Sequence, residues 1–346
     1  MYYLLILIIL FLYNSLSYQP QSVSERKEKT YTFIICVILV LMAALRSDEV
    51  GADTSGYRDN YETLYQYSTF QSLVDRYTIF YIGYFGLSKL FHLAGMPVQV
   101  WFGFVEAFYL YALMRLVNQF SKDKIFSLLV FTTVGLFSFS MAGLKQTFAM
   151  SLMMLAFICF LDKKYCLSVL LVFATYYTHQ SAFIFLGVFP LYYVRKTRWF
   201  IPLTILLCLL IYFNSYLFIE KMVEALDNEK WESYLVTDSG YTYVTFVFYT
   251  VITFIAFWNF KNYNIADPEF AKLFLGLSTL GCGLQLLAGV SPSLFRLSFL
   301  YTPFMMILLP NASYYANNSK QVRLILMGCI IFYFLYTNRH WPYSFV

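Results

Sequence analysis

Charge is scarce in this sequence. Of its 346 residues 12% are Asp, Glu, Lys or Arg and 60% are hydrophobic, and that share of charge is about half what a soluble domain carries. So much apolar surface has no place in water, and no stretch is long or polar enough to fold as a separate soluble domain. Lipid is therefore the expected solvent for most of the chain. The formal net charge is a modest +5 and the basic residues are scattered, which denies a nucleic-acid partner the basic face it needs. Histidine is rarer still. His92, His179 and His340 lie far apart, so no metal site is expected. The six cysteines (Cys36, Cys159, Cys166, Cys208, Cys282, Cys329) form no CxxC pair and sit in or beside apolar runs, reading as small core- or lipid-facing residues. Also missing are a phosphate loop GxxxxGK[ST], a GxSxG nucleophile turn, an HExxH zinc helix and a DxD suited to a metal-bound nucleotide sugar. Soluble-enzyme chemistry of those kinds has no support.

Long apolar runs are what the chain has. They fall near residues 2–18, 31–45, 98–117, 125–141, 144–161, 165–178, 180–194, 199–218, 241–260, 273–290, 294–310 and 324–338. We expect one all-α, polytopic transmembrane domain over residues 1–346, with about twelve helices. The first run begins at Met1-Tyr2-Tyr3 with no basic region or small-residue cleavage site, and reads as a retained helix rather than a signal peptide. Orientation follows from lysine and arginine. Fourteen of the 24 basic residues fall in the short connectors 19–30, 118–124, 162–164, 195–198, 261–272 and 311–323, which makes those cytoplasmic and both termini outward. Residues 77–94 break this alternation if counted as a span. They also carry Gly83, Gly86, Lys89 and His92, so a re-entrant or interfacial helix on the outer face fits better. Two outer loops, 46–76 and 219–240, are long enough to act as floor and lid of an outward cavity.

A few residues resist the bland reading. Arg46 closes the second run, Lys145 opens the fifth, and Arg296 opens the eleventh. Charges near membrane depth are costly unless paired. Snorkelling to headgroups explains any one of them, but three at one face point to a shared anionic ligand. His179 lies in YYTHQSAF, and the hairpin from Tyr165 to Val194 has only 30 residues. At about 1.5 Å per residue its arms reach about 21 Å, short of a core about 30 Å thick. The apex with Thr178, His179, Gln180 and Ser181 should therefore be recessed. An imidazole in a wet recess can take up and release protons. Glu106 and Arg115 share a run nine positions apart, on opposite helix faces. They are not a pair, and Glu106 is expected to bond to a neighbouring helix.

Four segments together resemble the EpsG-type polysaccharide polymerases, relatives of the Wzy O-antigen, capsule and exopolysaccharide polymerases. These are ALRSDEVGADTSGYRDNY, GLKQTFAMSLMMLAFICFLDKKY, ATYYTHQSAFIFLGVFPLYY and RLSFLYTPFMMILLP. The family usually has Arg where Lys145 stands, so the charge is kept and the bidentate geometry lost. The resemblance implies a GT-C-like polymerase/ligase architecture. It further implies a multi-pass protein of the bacterial cytoplasmic (inner) membrane, joining polyprenyl-diphosphate-linked repeat units at an outward-facing active site. Arg46, Lys145 and Arg296 would hold the diphosphate; His179, with Asp53 as competitor, would be the catalytic base; Tyr57, Arg58, Gln146, Gln180 and Tyr301 would bind substrate. Tyr61, Tyr65, Trp231 and Tyr234 could stack on sugars. No cofactor or metal is called for, because diphosphate is already a good leaving group. The partners implied are the lipid-linked glycan donor and acceptor, membrane lipid, a flippase and a chain-length regulator, and no nucleic acid. A flippase or ion-coupled carrier is the rival reading, but no repeat relates the two halves as carriers commonly require. A glycan ligase, an acyltransferase and a scaffold complete the alternatives.

Overall fold

Apolar runs without internal acceptors must satisfy their backbone within each segment, and in lipid that means helices. In a computed structural model, which describes residues 2–16, 21–215, 217, 220–221, 243–289 and 294–338, the chain is helical with no strand among the described residues. It divides into two compact units. The expected lid at 219–240, with Trp231 and Tyr234, lies almost wholly outside the described residues.

The first unit comprises Met1–Phe120, Lys124–Phe183 and Phe334–Val346. It contains α1 (Tyr2–Leu16), α2 (Gln21–Ala44), α3 (Thr54–Glu62), α4 (Phe70–Tyr77), α5 (Ile82–Leu93) and α6 (Val98–Phe120). These are followed by α7 (Lys124–Thr133), α8 (Leu136–Ala142), α9 (Leu144–Leu161) and α10 (Tyr165–Tyr176). The core is α6, packed by α2 and α9, with α10 laid on α9. The connector expected at 19–30 is mostly helix, because nothing after Pro20 breaks α2. Its Glu28 carboxylate binds Lys124 Nζ at 2.7 Å and accepts the Lys124 amide at 3.1 Å. The expected loop 46–76 is also largely helical. With α5 it forms a tyrosine-rich layer: Tyr61 donates to Met96 O at 2.7 Å, Tyr77 to Asn60 Oδ1 at 3.0 Å, and Lys89 to Tyr67 O. Burial pushes the Tyr61 and Tyr77 phenols above the usual tyrosine range.

The second unit comprises Ser121–Asp123 and Ile184–Tyr333. Its helices are α11 (Val188–Val194), α12 (Phe200–Phe213), α13 (Val244–Trp258), α14 (Phe260–Ala266), α15 (Ala271–Gln285), α16 (Phe295–Ser298), α17 (Met305–Tyr315) and α18 (Ser319–Thr337, which ends in the first unit). Here α15 is central, packed by α12, α13, α16 and α17. Small residues let helices approach closely. A Cβ on Gly276 would stand 2.5 Å from the Phe200 ring, and one on Gly283 would overlap Cys208. Seven residues apart, the two glycines share one face of α15 and seat α12.

Exposed apolar side chains, such as Leu170, Phe173, Leu203 and Phe213, cover α10 and α12. That is a lipid-facing surface, and the chain is a helical membrane protein. By length and composition, four helices among the described residues are long and apolar enough to cross, fewer than the twelve expected: Val98–Phe120, Leu144–Leu161, Ala271–Gly289 and Ser319–Thr337. Two bent pairs, α7 with α8 (56°) and α13 with α14 (62°), raise the number to six. The shortfall is one of length. The 12-residue α10 and 14-residue α12 extend about 18 and 21 Å at 1.5 Å per residue. The run 294–310 is split into α16, a 3-10 turn at Thr302–Phe304, and α17. Residues 77–94 also form too short a helix to cross, the 12-residue α5.

Candidate functional site

The 46–96 layer brings distant residues of the first unit together. Arg46 follows α2 and is wholly buried at 0% exposure. Its guanidinium donates to Met141 O at 3.1 Å, to Thr54 Oγ1 at 3.3 Å and to Ala43 O, and lies 4.3 Å from the Phe102 ring centroid. The turn that makes this possible contains Gly51 at φ +92°, where a Cβ would meet Thr54 Oγ1 at 2.8 Å and Met141 O at 3.0 Å. Arg58, one turn into α3, donates to Asp48 at 2.6 Å and stands 5.9 Å from the same Phe102 ring. Arg46, expected as a diphosphate ligand, is enclosed and donates to two protein carbonyls and a hydroxyl.

Lys145 has different surroundings. It sits half-buried in the first turn of α9, where the helix dipole already presents partial positive charge. A further cation there gains from electron-rich ring faces. Lys145 Nζ lies 4.4 Å from the Tyr81 ring centroid, 5.6 Å from Phe85 and 6.0 Å from Tyr57. The Tyr81 ring is also 5.6 Å from the His179 imidazole. Lys145 and His179, from α9 and the turn after α10, therefore share one aromatic wall. Local backbone fixes this wall: Gly83 N donates to Tyr177 O at 2.6 Å, and a Cβ on Gly83 would stand 2.8 Å from Thr178 Oγ1. Behind it, Trp101 Nε1 donates to the Tyr84 hydroxyl at 3.0 Å, and the Tyr57 and Tyr84 rings lie 5.9 Å apart.

The remaining expected residues divide. Asp53 caps α3 one turn before Tyr57, its carbonyl accepting the Tyr57 amide at 3.0 Å. Gln146 and Gln180 are buried. Arg296 belongs to the short α16 of the second unit. Tyr301, in the same unit, is buried and donates its hydroxyl to Ile184 O at 2.6 Å. It closes packing there rather than presenting a free phenol. Glu106 is buried in α6, but neither carboxylate oxygen makes a hydrogen bond among the described residues. The Ser140 hydroxyl, on the neighbouring α8, stands beside the Glu106 carboxylate and also donates within its own helix to Phe137 O at 2.8 Å. Arg115 pairs with Asp162 at 3.9 Å.

Sequence reasoning missed Tyr81 and Phe85. Their signal was an aromatic and glycine cluster, Tyr81-Ile82-Gly83-Tyr84-Phe85, inside a segment weighed only as a span or a re-entrant helix. Among the described residues, no three His, Cys, Asp or Glu side chains are grouped to hold a metal ion. A family model described as the EpsG family matches residues 29–345. No curated protein and no solved structure matches.

Proposed function

The chain belongs to the EpsG family, and from that premise we propose that it is a membrane glycosyltransferase. It polymerises polyprenyl-diphosphate-linked oligosaccharide repeat units on the outer face of the bacterial cytoplasmic membrane. The observation that carries the reading is the cluster in which the Tyr81 ring lies against both Lys145 and His179, with the Tyr57 ring also near Lys145. In the proposed reaction an acceptor hydroxyl attacks the anomeric carbon of the donor. The bond from that carbon to the diphosphate oxygen breaks, and polyprenyl diphosphate leaves with the electron pair. The hydroxyl proton goes to His179, with Asp53 as the competing base. Lys145 meets the negative charge growing on the leaving oxygen, where a fixed cation in a poorly solvated site is worth most.

Tyr57 and Tyr81 offer ring faces for sugars, and Gln146 and Gln180 amides for their hydroxyls. Arg46 belongs to the supporting frame beneath α3, Arg58 on α3 is a proposed substrate contact, and Arg296 is a proposed diphosphate ligand. About twelve crossings and a GT-C-like arrangement belong to the same proposal, with the short helices lying in thinned or wet regions. Neither nucleotide nor divalent metal takes part, so activity in chelator should equal that without it. Lipid-linked donor and acceptor are the substrates, and a flippase and a chain-length regulator are the proposed protein partners.

The test is a glycan ladder from cells carrying His179→Ala or Lys145→Ala. Both variants should reach the membrane and leave single repeat units in place of long chains. Normal ladders from both would overturn the assignment. Loss of even the single outward unit would identify a flippase instead.

A further inference from the structure

The second unit contains a cavity of about 580 Å³ that the reaction does not use. Its position follows from α13, VTFVFYTVITFIAFW, whose apolar sequence ends at Trp258. The chain then bends by 62° into α14. The bend carries Asn259, Lys261 and Asn262 over the end of an apolar helix. Across the cavity, the turn between α17 and α18 supplies Asn317 and Asn318, and α18 supplies Gln321. Asn262 Nδ2 donates to Asn317 Oδ1 at 2.6 Å and joins the two polar walls.

The opposite end is built differently. Phe254, Ile255, Val322 and Ile325 line it, and Phe254 and Ile325 are more than half exposed. In a membrane helix such exposed apolar groups face acyl chains. One cavity thus has a hydrocarbon wall at one end, amides and a lysine at the other, and an exposed Trp258 at the boundary. Tryptophan favours that depth, where its ring is apolar and its N–H wet. No carboxylate lines the cavity among the described residues, and Lys261 is the lining charge. The neighbouring Lys320 is exposed.

We propose that this cavity is a binding site for an anionic glycerophospholipid, one acyl chain against Phe254 and Ile325 and the phosphate and headgroup hydroxyls against Lys261 and the amides. An amide both donates and accepts, which suits a headgroup presenting phosphate oxygens and hydroxyls together. A volume of this size is in the range of about 300–1,000 Å³ that holds small amphiphiles. A zwitterionic lipid would bring an ammonium group toward Lys261 with no carboxylate to receive it. The site is separate from the Lys145 and His179 cluster and stands whether or not that cluster is catalytic.

Full-length protein in nanodiscs of phosphatidylcholine, titrated with phosphatidylglycerol whose chains are brominated, tests this. Bromine quenches tryptophan on contact. At low mole fraction, brominated phosphatidylglycerol should quench more strongly than brominated phosphatidylcholine, and Trp258→Phe should remove the difference. A Lys261→Glu, Asn317→Ala variant should need about tenfold more phosphatidylglycerol, with helicity by circular dichroism unchanged. Equal quenching by both lipids, or no change in the double variant, overturns the proposal. Release of phosphatidylglycerol by millimolar inorganic phosphate also overturns it, since the acyl wall would then contribute nothing. A polyprenyl phosphate that displaces the phospholipid at equal mole fraction assigns the cavity to that lipid and overturns it likewise.

Discussion

Arg46 and Lys145 look alike in the sequence: each is a lone cation at the end of an apolar run, each expected at the same face. Their surroundings are opposite. Arg46 is closed over by α3 and α8 and gives its donors to Met141 O, Thr54 Oγ1 and Ala43 O. Lys145 is half-buried and lies against ring faces. The difference separates two uses of a cation at membrane depth. A guanidinium has a planar fork that ties several carbonyls at once and holds a fold. An ammonium against aromatics is a compact point charge without that fork.

The largest way to break this contrast is Arg46→Ala. It removes charged hydrogen bonds, leaves buried Met141 O and Thr54 Oγ1 without their donor, and opens a cavity beside Phe102. Orphaned acceptors cost about 1–3 kcal/mol each, and the cavity adds to that. Against a total stability of about 5–15 kcal/mol, the expected outcome is little folded protein in detergent and a Tm many degrees lower. Arg46→Lys should recover little of it, because an ammonium cannot span the three acceptors. Lys145→Ala, in the same assay, should keep its Tm within a few degrees while losing polymer. An Arg46→Ala protein that stays folded and makes only single repeat units would put both cations in the same role.

A smaller version of the same test lies at Gly51. Its φ of +92° is the left-handed region, and an added Cβ would crowd Thr54 Oγ1 and Met141 O, two of the acceptors that hold Arg46. Gly51→Ala should cost about 1–3 kcal/mol, the usual strain of a side chain held there. Thermal unfolding should show part of the Arg46→Ala loss. Combined with Arg46→Ala, the two losses should fall short of their sum, because both act on one turn. Full additivity would mean that the Gly51 turn does not serve Arg46.

What the sequence could and could not disclose follows from the same physics. Charge must avoid hydrocarbon, so the lysine and arginine bias was readable. Glu28–Lys124 and Arg195–Glu269 each join two of the basic connectors. The shortness of the hairpin before His179 was readable, and α10 is only 12 residues long. The lengths of the individual helices were not readable in this way, because hydropathy registers composition and not where a helix stops. Nor was the fate of Arg46 readable. Its partner Met141 O is a backbone atom 95 residues away, and carbonyls leave no mark on a residue pattern. Tyr81 was hidden for a related reason: its neighbours Lys145 and His179 come from two other elements, and only the fold makes it their common wall.

Tyr81 therefore carries the finest test of the Lys145 environment. Its ring is 4.4 Å from Nζ and 5.6 Å from the imidazole, so it is the group through which the two functional side chains are held in register. Tyr81→Phe keeps the ring face and removes the hydroxyl. If the ring is what matters, polymer yield should change less than about twofold. Tyr81→Leu keeps bulk and apolarity but removes the π face. A cation–π contact is worth about 0.5–2 kcal/mol, so activity should fall about two- to thirtyfold, with Tm nearly unchanged. Lys145→Ala should make the second substitution almost silent, since the ring would then have no cation to hold. A Tyr81→Phe protein as impaired as Tyr81→Leu would move the role from the ring to the phenol, and with it the proton path from His179 to the hydroxyl of Tyr81.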